Sequence, residues 1–156
     1  MTKEQLGNLI IESNELLYHT AKTLLYNDSD CADAIQNMIV NAFTHYKEIK
    51  VDKYAKTWMI RILKNECFKI MRNEKKYTSF DESLIKDAYE HKDYTDLYNA
   101  VMKLPKEIRL AVTLYYVEGF KVKEIAEIED VSESAVKNRL LRARNQLKGI
   151  LDGEEA

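Results

Sequence analysis

A chain of 156 residues with 46% hydrophobic content can bury a core, either as one domain or as two small ones, and no apolar run in it approaches membrane-spanning length. One proline and four glycines leave little punctuation for sheets and hairpins, so the composition predicts an all-α protein and argues against β-rich classes. The formal net charge of −2 hides an uneven distribution. Residues 1–49 carry three lysines against seven acids, residues 50–76 nine lysines and arginines against three acids, and residues 77–96 two lysines against six acids. Two positive islands, 50–76 and 137–148, stand in an acidic chain, which directs a search for nucleic-acid contacts to those places.

The first helix is expected from about Lys3 to about Tyr26, offering Leu6, Leu9, Ile10, Leu16, Leu17, Ala21, Leu24 and Leu25 for burial. The run Asn27-Asp28-Ser29-Asp30 stops that helix and caps the next. In the second helix Ile35, Met38, Ile39, Ala42, Phe43 and Tyr46 fit an inward face, and Asp33, Gln36, Asn37, Val40, Asn41 and Thr44 form its outer row. After a loop around Glu48 to Asp52, a third helix spans roughly Tyr54 to Asn73. At 100° per residue Ala55, Trp58, Met59, Ile62, Leu63 and Ile70 share one side, while Tyr54, Thr57, Arg61, Lys64, Asn65, Phe68 and Arg72 gather on the opposite flank. Cations can follow phosphates while rings and an amide engage unstacked bases, so that flank suits a single DNA strand. Taken alone, a solvated charged face explains it equally well.

Residues 77–95 are acidic, contain Tyr77, Phe80, Tyr89 and Tyr94, and show poor periodicity; they read as a linker. A second domain then begins with a helix from Thr95-Asp96 to Leu104, Pro105 at a first helical position, a helix over Lys106 to Val117, and Gly119 as terminator. Residues 119–151 describe a short helix, a tight turn and a longer helix. Ser132 stands where an N-cap is wanted, and Ala126 is small where the helices must approach. In the longer helix Val136, Leu140, Ala143, Leu147 and Ile150 form one buried stripe, and Ser134, Lys137, Asn138, Leu141 and Arg142 project the other way. From Lys137 to Lys148 no acid balances Lys137, Arg139, Arg142, Arg144 and Lys148, which favours a helix-turn-helix facing a DNA groove over a solvated surface helix.

These segments in this order resemble the bacterial sigma factors of the small extracytoplasmic-function (ECF) group. Asp33 to Phe43 is similar to the family's polymerase-binding helix, and Lys56 to Asn65 to its promoter-melting helix. Leu104 to Arg109, Tyr116 to Phe120, Glu124 to Ala126 and Val136 to Arg144 are similar to its carboxy-terminal domain. The resemblance implies two small helical domains joined by an acidic linker: residues 1–76 for the polymerase clamp and the minus 10 element, and residues 96–156, with the helix-turn-helix, for the minus 35 element. It implies core RNA polymerase and promoter DNA, duplex and melted, as partners, with an inhibitory anti-sigma factor as a further one. Carried over by position, Asp33, Gln36 and Asn37 face the polymerase. Lys53, Tyr54, Arg61, Lys64, Asn65, Phe68 and Arg72 meet the minus 10 strand, and Ser134, Lys137, Asn138, Arg139, Arg142 and Arg144 the minus 35 duplex. Two positions depart from the family pattern: Asn37 where an acid is common, and Asp130 where a turn glycine is common. Asp130 can take the left-handed conformation at modest cost.

The competing reading is an autonomous helix-turn-helix regulator whose amino-terminal half serves as dimerisation or effector domain. An enzyme lacks support: there is no Gly-rich phosphate loop, metal-ligand cluster or nucleophile with a recognisable base, and no cofactor is expected. Cys31 and Cys67, like His19, His45 and His91, are scattered without zinc-site spacing, and the cysteines are expected as reduced thiols in helix cores. The start lacks a signal peptide's charged and apolar regions, so a cytoplasmic protein without membrane insertion is expected.

Overall fold

The structure, a computed structural model, describes residues 1–73 and 95–155, and the linker expected over 77–95 lies, Thr95 apart, outside the described residues. Among the described residues the regular elements are all helical. In the amino-terminal half α1 is Lys3–Glu12, α2 Asn14–Leu24, α3 Asp28–His45 and α4 Ala55–Asn73. In the carboxy-terminal half α5 is Thr95–Met102, α6 Lys106–Val112, α7 Val122–Glu129 and α8 Glu133–Glu155.

The single first helix expected from the sequence is two, bent at Ser13. The Ser13 N–H is shared between the carbonyls of Leu9 (2.9 Å) and Ile10 (3.2 Å), and Leu17 N–H returns to Ser13 O at 2.9 Å, while Ser13 itself leaves helical geometry at φ −95°, ψ 12°. Ser13 is buried at the bend, and the periodicity on either side gave no warning of it. At the start of α1, Thr2 Oγ1 accepts from Gln5 N–H (3.1 Å) and Gln5 Oε1 from Thr2 N–H (2.8 Å), a reciprocal cap. Asn27 opens α3 by accepting from the N–H groups of Ser29 and Asp30, as the Asn-Asp-Ser-Asp run leads one to expect.

The helix expected over Lys106 to Val117 is α-helical only to Val112. Thr113–Val117 widens into a π turn, with Glu118 N–H reaching Thr113 O at 3.0 Å. Gly119 at φ +74° then ends it, and Phe120 N–H bonds back to Leu114 O at 2.8 Å.

Helices α2, α3 and α4 bury Leu17, Leu24, Met38, Met59, Ile60 and Leu63 against one another. That core does not stop at the boundary between the halves. Leu110 and Leu114, then Phe120, Ile125 and Ile128 of the α7 region, and Val136 and Leu140 of α8 belong to the same contiguous apolar cluster. Polar groups pin the join. Thr23 and Thr113 hydroxyls share a hydrogen bond of 2.9 Å, His19 Nδ1 lies 3.1 Å from Glu118 Oε1, and Tyr98 Oη donates to Lys22 O at 3.0 Å. Helix α6 therefore seats on α2, and α7 lies along α4.

Candidate nucleic-acid interface

The helix-turn-helix is built on one left-handed residue. Asp130 sits at φ 57°, ψ 45°, and it and Val131 both send their N–H groups to the Ala126 carbonyl, which closes α7 without a glycine. Ser132 Oγ then accepts from Ala135 N–H at 3.1 Å and launches α8. Val136, Leu140 and Ala143 are buried, which fixes the rotation of α8 and leaves Ser134, Lys137, Asn138 and Arg142 exposed along its outer row. Arg144, also exposed, donates to Tyr116 Oη at 2.7 Å.

Arg139 is placed differently from the rest of that set. Its Nη1 lies 3.0 Å from Glu129 Oε2 as a charge pair, and its side chain is only 22% exposed against 2% for Glu129. Burial, opposed by Arg139 and Lys64, pushes the Glu129 carboxyl up to about 7. Arg139 thus faces inward to a carboxylate that needs it, rather than out to a groove. Sequence reasoning missed Glu129. Its signal was an acid at helical spacing with Ile125 and Ala126, on the apolar face of α7.

On α4 the expected flank is only partly open. Arg61, Asn65 and Arg72 are exposed, as are Lys53 and Tyr54 just before the helix, with Lys53 Nζ 5.0 Å from the Tyr54 ring centre. Thr57 and Lys64 are buried and Phe68 is half-buried, with Asp130 of the turn after α7 against Lys64 and Lys106 of α6 against Phe68. Arg61 Nη2 pairs with Asp130 Oδ1 at 2.6 Å, and Lys64 Nζ lies 3.9 Å from Asp130 Oδ2. Burial lowers the Lys64 pKa, and the Asp130 carboxylate works against that shift. The Phe68 ring has Lys106 Nζ 4.6 Å and Lys64 Nζ 5.7 Å from its centre. On α3, Asp33, Gln36 and Asn37 are exposed, beside a Val40 that is 68% exposed.

Among the described residues no group of three or more His, Cys, Asp or Glu side chains is arranged to hold a metal ion, and no helix is long and apolar enough to cross a membrane. Cys31 and Cys67 are buried, Cys31 Sγ donating to Leu25 O at 3.0 Å, and burial pushes both thiols up, Cys31 to about 12.

The family model of sigma-70 region 2 matches residues 9–77, and that of sigma-70 region 4 matches residues 94–147. Over 99% of its length the chain is 28% identical to RNA polymerase sigma factor SigV of Bacillus subtilis, covering 95% of that protein. Over 86% of its length it is 28% identical to ECF RNA polymerase sigma factor SigM of Mycobacterium tuberculosis, covering 71% of it. The chain belongs to the ECF group of sigma factors. As such it is a transcription-initiation factor that confers promoter recognition on RNA polymerase. The fold of this sigma factor is that of RpoE from Bartonella quintana, solved in complex with the anti-sigma factor NepR: TM-score 0.78, 22% identity, covering 96% of this chain and 98% of that one. It is also that of CnrH, solved in complex with the cytosolic domain of CnrY: TM-score 0.76, 22% identity, covering 97% and 90%.

Proposed function

We propose that this sigma factor directs core RNA polymerase in the cytoplasm to promoters through three separate faces, and that it has no catalytic centre of its own. The observation that carries this reading is the outer row of α8: Ser134, Lys137, Asn138 and Arg142 stand exposed, with no acid from Lys137 to Lys148, on a helix whose rotation is locked by Val136, Leu140 and Ala143. A groove-facing helix needs that arrangement, with polar side chains near its amino end for base edges and cations along its flank for phosphates. Residues 96–156 thus take the minus 35 duplex, with Arg144 on phosphates. Arg139 serves in this reading as a positioning residue that fixes the angle of α8 through Glu129.

In the amino-terminal domain, 1–76, the faces are on different helices. Asp33, Gln36 and Asn37 on α3 meet the polymerase. Lys53, Tyr54, Arg61, Lys64, Asn65, Phe68 and Arg72, on and just before α4, hold the melted minus 10 strand, with cations on phosphates and the rings of Tyr54 and Phe68 under bases. Residues 77–95 join the two domains. An anti-sigma factor belongs to this reading as an inhibitory partner, since RpoE of Bartonella quintana was solved with one.

The test separates strand capture from polymerase binding. Lys64→Ala with Asn65→Ala leaves association with core polymerase intact, because that contact lies on α3. Open-complex formation, read by permanganate reactivity of unpaired thymines, falls on duplex promoter and is largely restored on a template with a preformed bubble. Equal opening by the folded variant and the parent on duplex DNA contradicts the assignment of α4.

A further inference from the structure

Arg144, on the exposed side of α8, is held by a side chain from another element. It follows Lys137 by seven residues, so it stands on nearly the same line of the helix, roughly 10 Å further along. Its place is on the flank, one turn after the buried Leu140, and not at the centre of the outer row. A guanidinium on a long exposed stem at such a place samples many rotamers unless something orders it. Here Nη1 donates to Tyr116 Oη at 2.7 Å, across 28 residues of chain.

The acceptor is firmly mounted. Tyr116 lies in the π turn Thr113–Val117, where the carbonyls of the buried Thr113 and Leu114 take the N–H groups of Glu118 (3.0 Å) and Phe120 (2.8 Å) and fix the turn to the core. The Tyr115 ring meets the Tyr116 ring edge-on, with centres 5.0 Å apart and planes at 89°, which restricts the swing of the second ring. Both rings are exposed, Tyr116 by 53%, so the second ring adds little to the core. What its placement secures is the aim of Arg144. A guanidinium has five N–H donors in a planar fork and Tyr116 takes one, which leaves an edge of the fork for a phosphate.

We propose that Tyr116 is a positioning residue for promoter binding: it holds Arg144 in the geometry in which the guanidinium grips a backbone phosphate at the flank of the minus 35 duplex. The proposal rests on the reading of Arg144 as a phosphate contact. Gripping a phosphate costs an exposed arginine much of its rotamer freedom, and a side chain already ordered by Tyr116 has less of it to lose. Tyr116 acts through Arg144 and not on base edges, so its effect is the same for every minus 35 sequence. A hydroxyl releases no counterion of its own, and the salt dependence of this contact therefore belongs to Arg144.

A double-mutant cycle tests this in the holoenzyme, assembled from core polymerase and the full chain, on a fluorescein-labelled duplex promoter that the holoenzyme selects from a random pool. Tyr116→Phe keeps the ring and loses the acceptor. It should weaken binding about three- to tenfold, evenly over single-base variants of the minus 35 element, at unchanged melting temperature of the free chain. Arg144→Ala should weaken binding and reduce the slope of log Kd against log salt by about 0.9, the share of one phosphate contact. In the Arg144→Ala background Tyr116→Phe should then weaken binding less than about twofold. Parental or tighter binding by Tyr116→Phe overturns the positioning role. So does a loss of the same size in the Arg144→Ala background, which gives Tyr116 a contact of its own. Parental affinity and slope for Arg144→Ala overturn the proposal as well, and locate the failure in the phosphate reading of Arg144.

Discussion

Arg139→Met removes the only cation paired with Glu129 among the described ion pairs, while keeping an apolar stem of similar length. Glu129 is 2% exposed at its side chain, and its carboxyl is held up to about 7 against an ordinary value of 4.5 even with Arg139 beside it. Breaking a buried pair by removing one partner costs about 3–5 kcal/mol. Arg139 is 22% exposed, so water reaches the gap, and a loss of about 2–3 kcal/mol at pH 8 is the reasonable expectation. The sign with pH follows from the direction of the shift. Folding favours the protonated carboxyl, so the stability contributed by Glu129 is present in acid and lost as pH rises from the ordinary carboxylate range through about 7. Without Arg139 the carboxyl moves further up, and protonation removes the need for a partner. The defect of Arg139→Met should therefore shrink to about 1 kcal/mol or less at pH 5.5. Denaturant midpoints at both pH values, at unchanged m, measure it. Glu129→Gln in the same chain should recover at least about 1 kcal/mol at pH 8. A variant of parental stability at both pH values, with minus 35 binding lost instead, refutes the inward role and returns Arg139 to the groove.

Lys137→Ala and Asn138→Ala should each shift preference within the minus 35 element by about 1–3 kcal/mol per lost base contact, whereas Arg144→Ala weakens binding evenly across sequences; holoenzyme binding to a panel of single-base promoter variants distinguishes the two patterns. Cys31 and Cys67 should react with a thiol reagent only at the rate of global unfolding, given their burial and raised pKa values, and fast labelling of either in the native protein contradicts their placement.

The helices and the helix-turn-helix were legible because local chemistry sets them. Asn27 and Ser132 cap, Asp130 turns left, Gly119 terminates, and the Val136-Leu140-Ala143 stripe faces in, each for reasons contained within a few residues. What periodicity cannot supply is the partner of a buried face. The second half read as a domain with its own core, yet Leu110, Leu114, Ile125 and Ile128 share a cluster with the core of the first. For the same reason Lys64 and Phe68 looked like an open stripe, since a cation at an outer helical position gives no sign that a carboxylate sixty-six residues later in the chain will cover it. The bend at Ser13 and the π turn at Thr113–Val117 were illegible for another reason: each alters the backbone hydrogen bonds of about one turn, which the apolar spacing of the flanking helices does not register. Within the site, the outward row of α8 was read from sequence as it stands in the structure, and Arg139 was not, because its direction depends on Glu129 across the turn.

Run-off transcription tests most directly whether this sigma factor gives polymerase its promoter. Core polymerase, with and without the protein, is supplied with a duplex template carrying the DNA upstream of the protein's own gene and a second template with that DNA scrambled. A discrete transcript that requires both the protein and the native upstream sequence is the predicted result. No protein-dependent transcript, together with nanomolar, sequence-specific binding of the same DNA by a dimer of the free protein at physiological salt, contradicts the account and identifies an autonomous regulator.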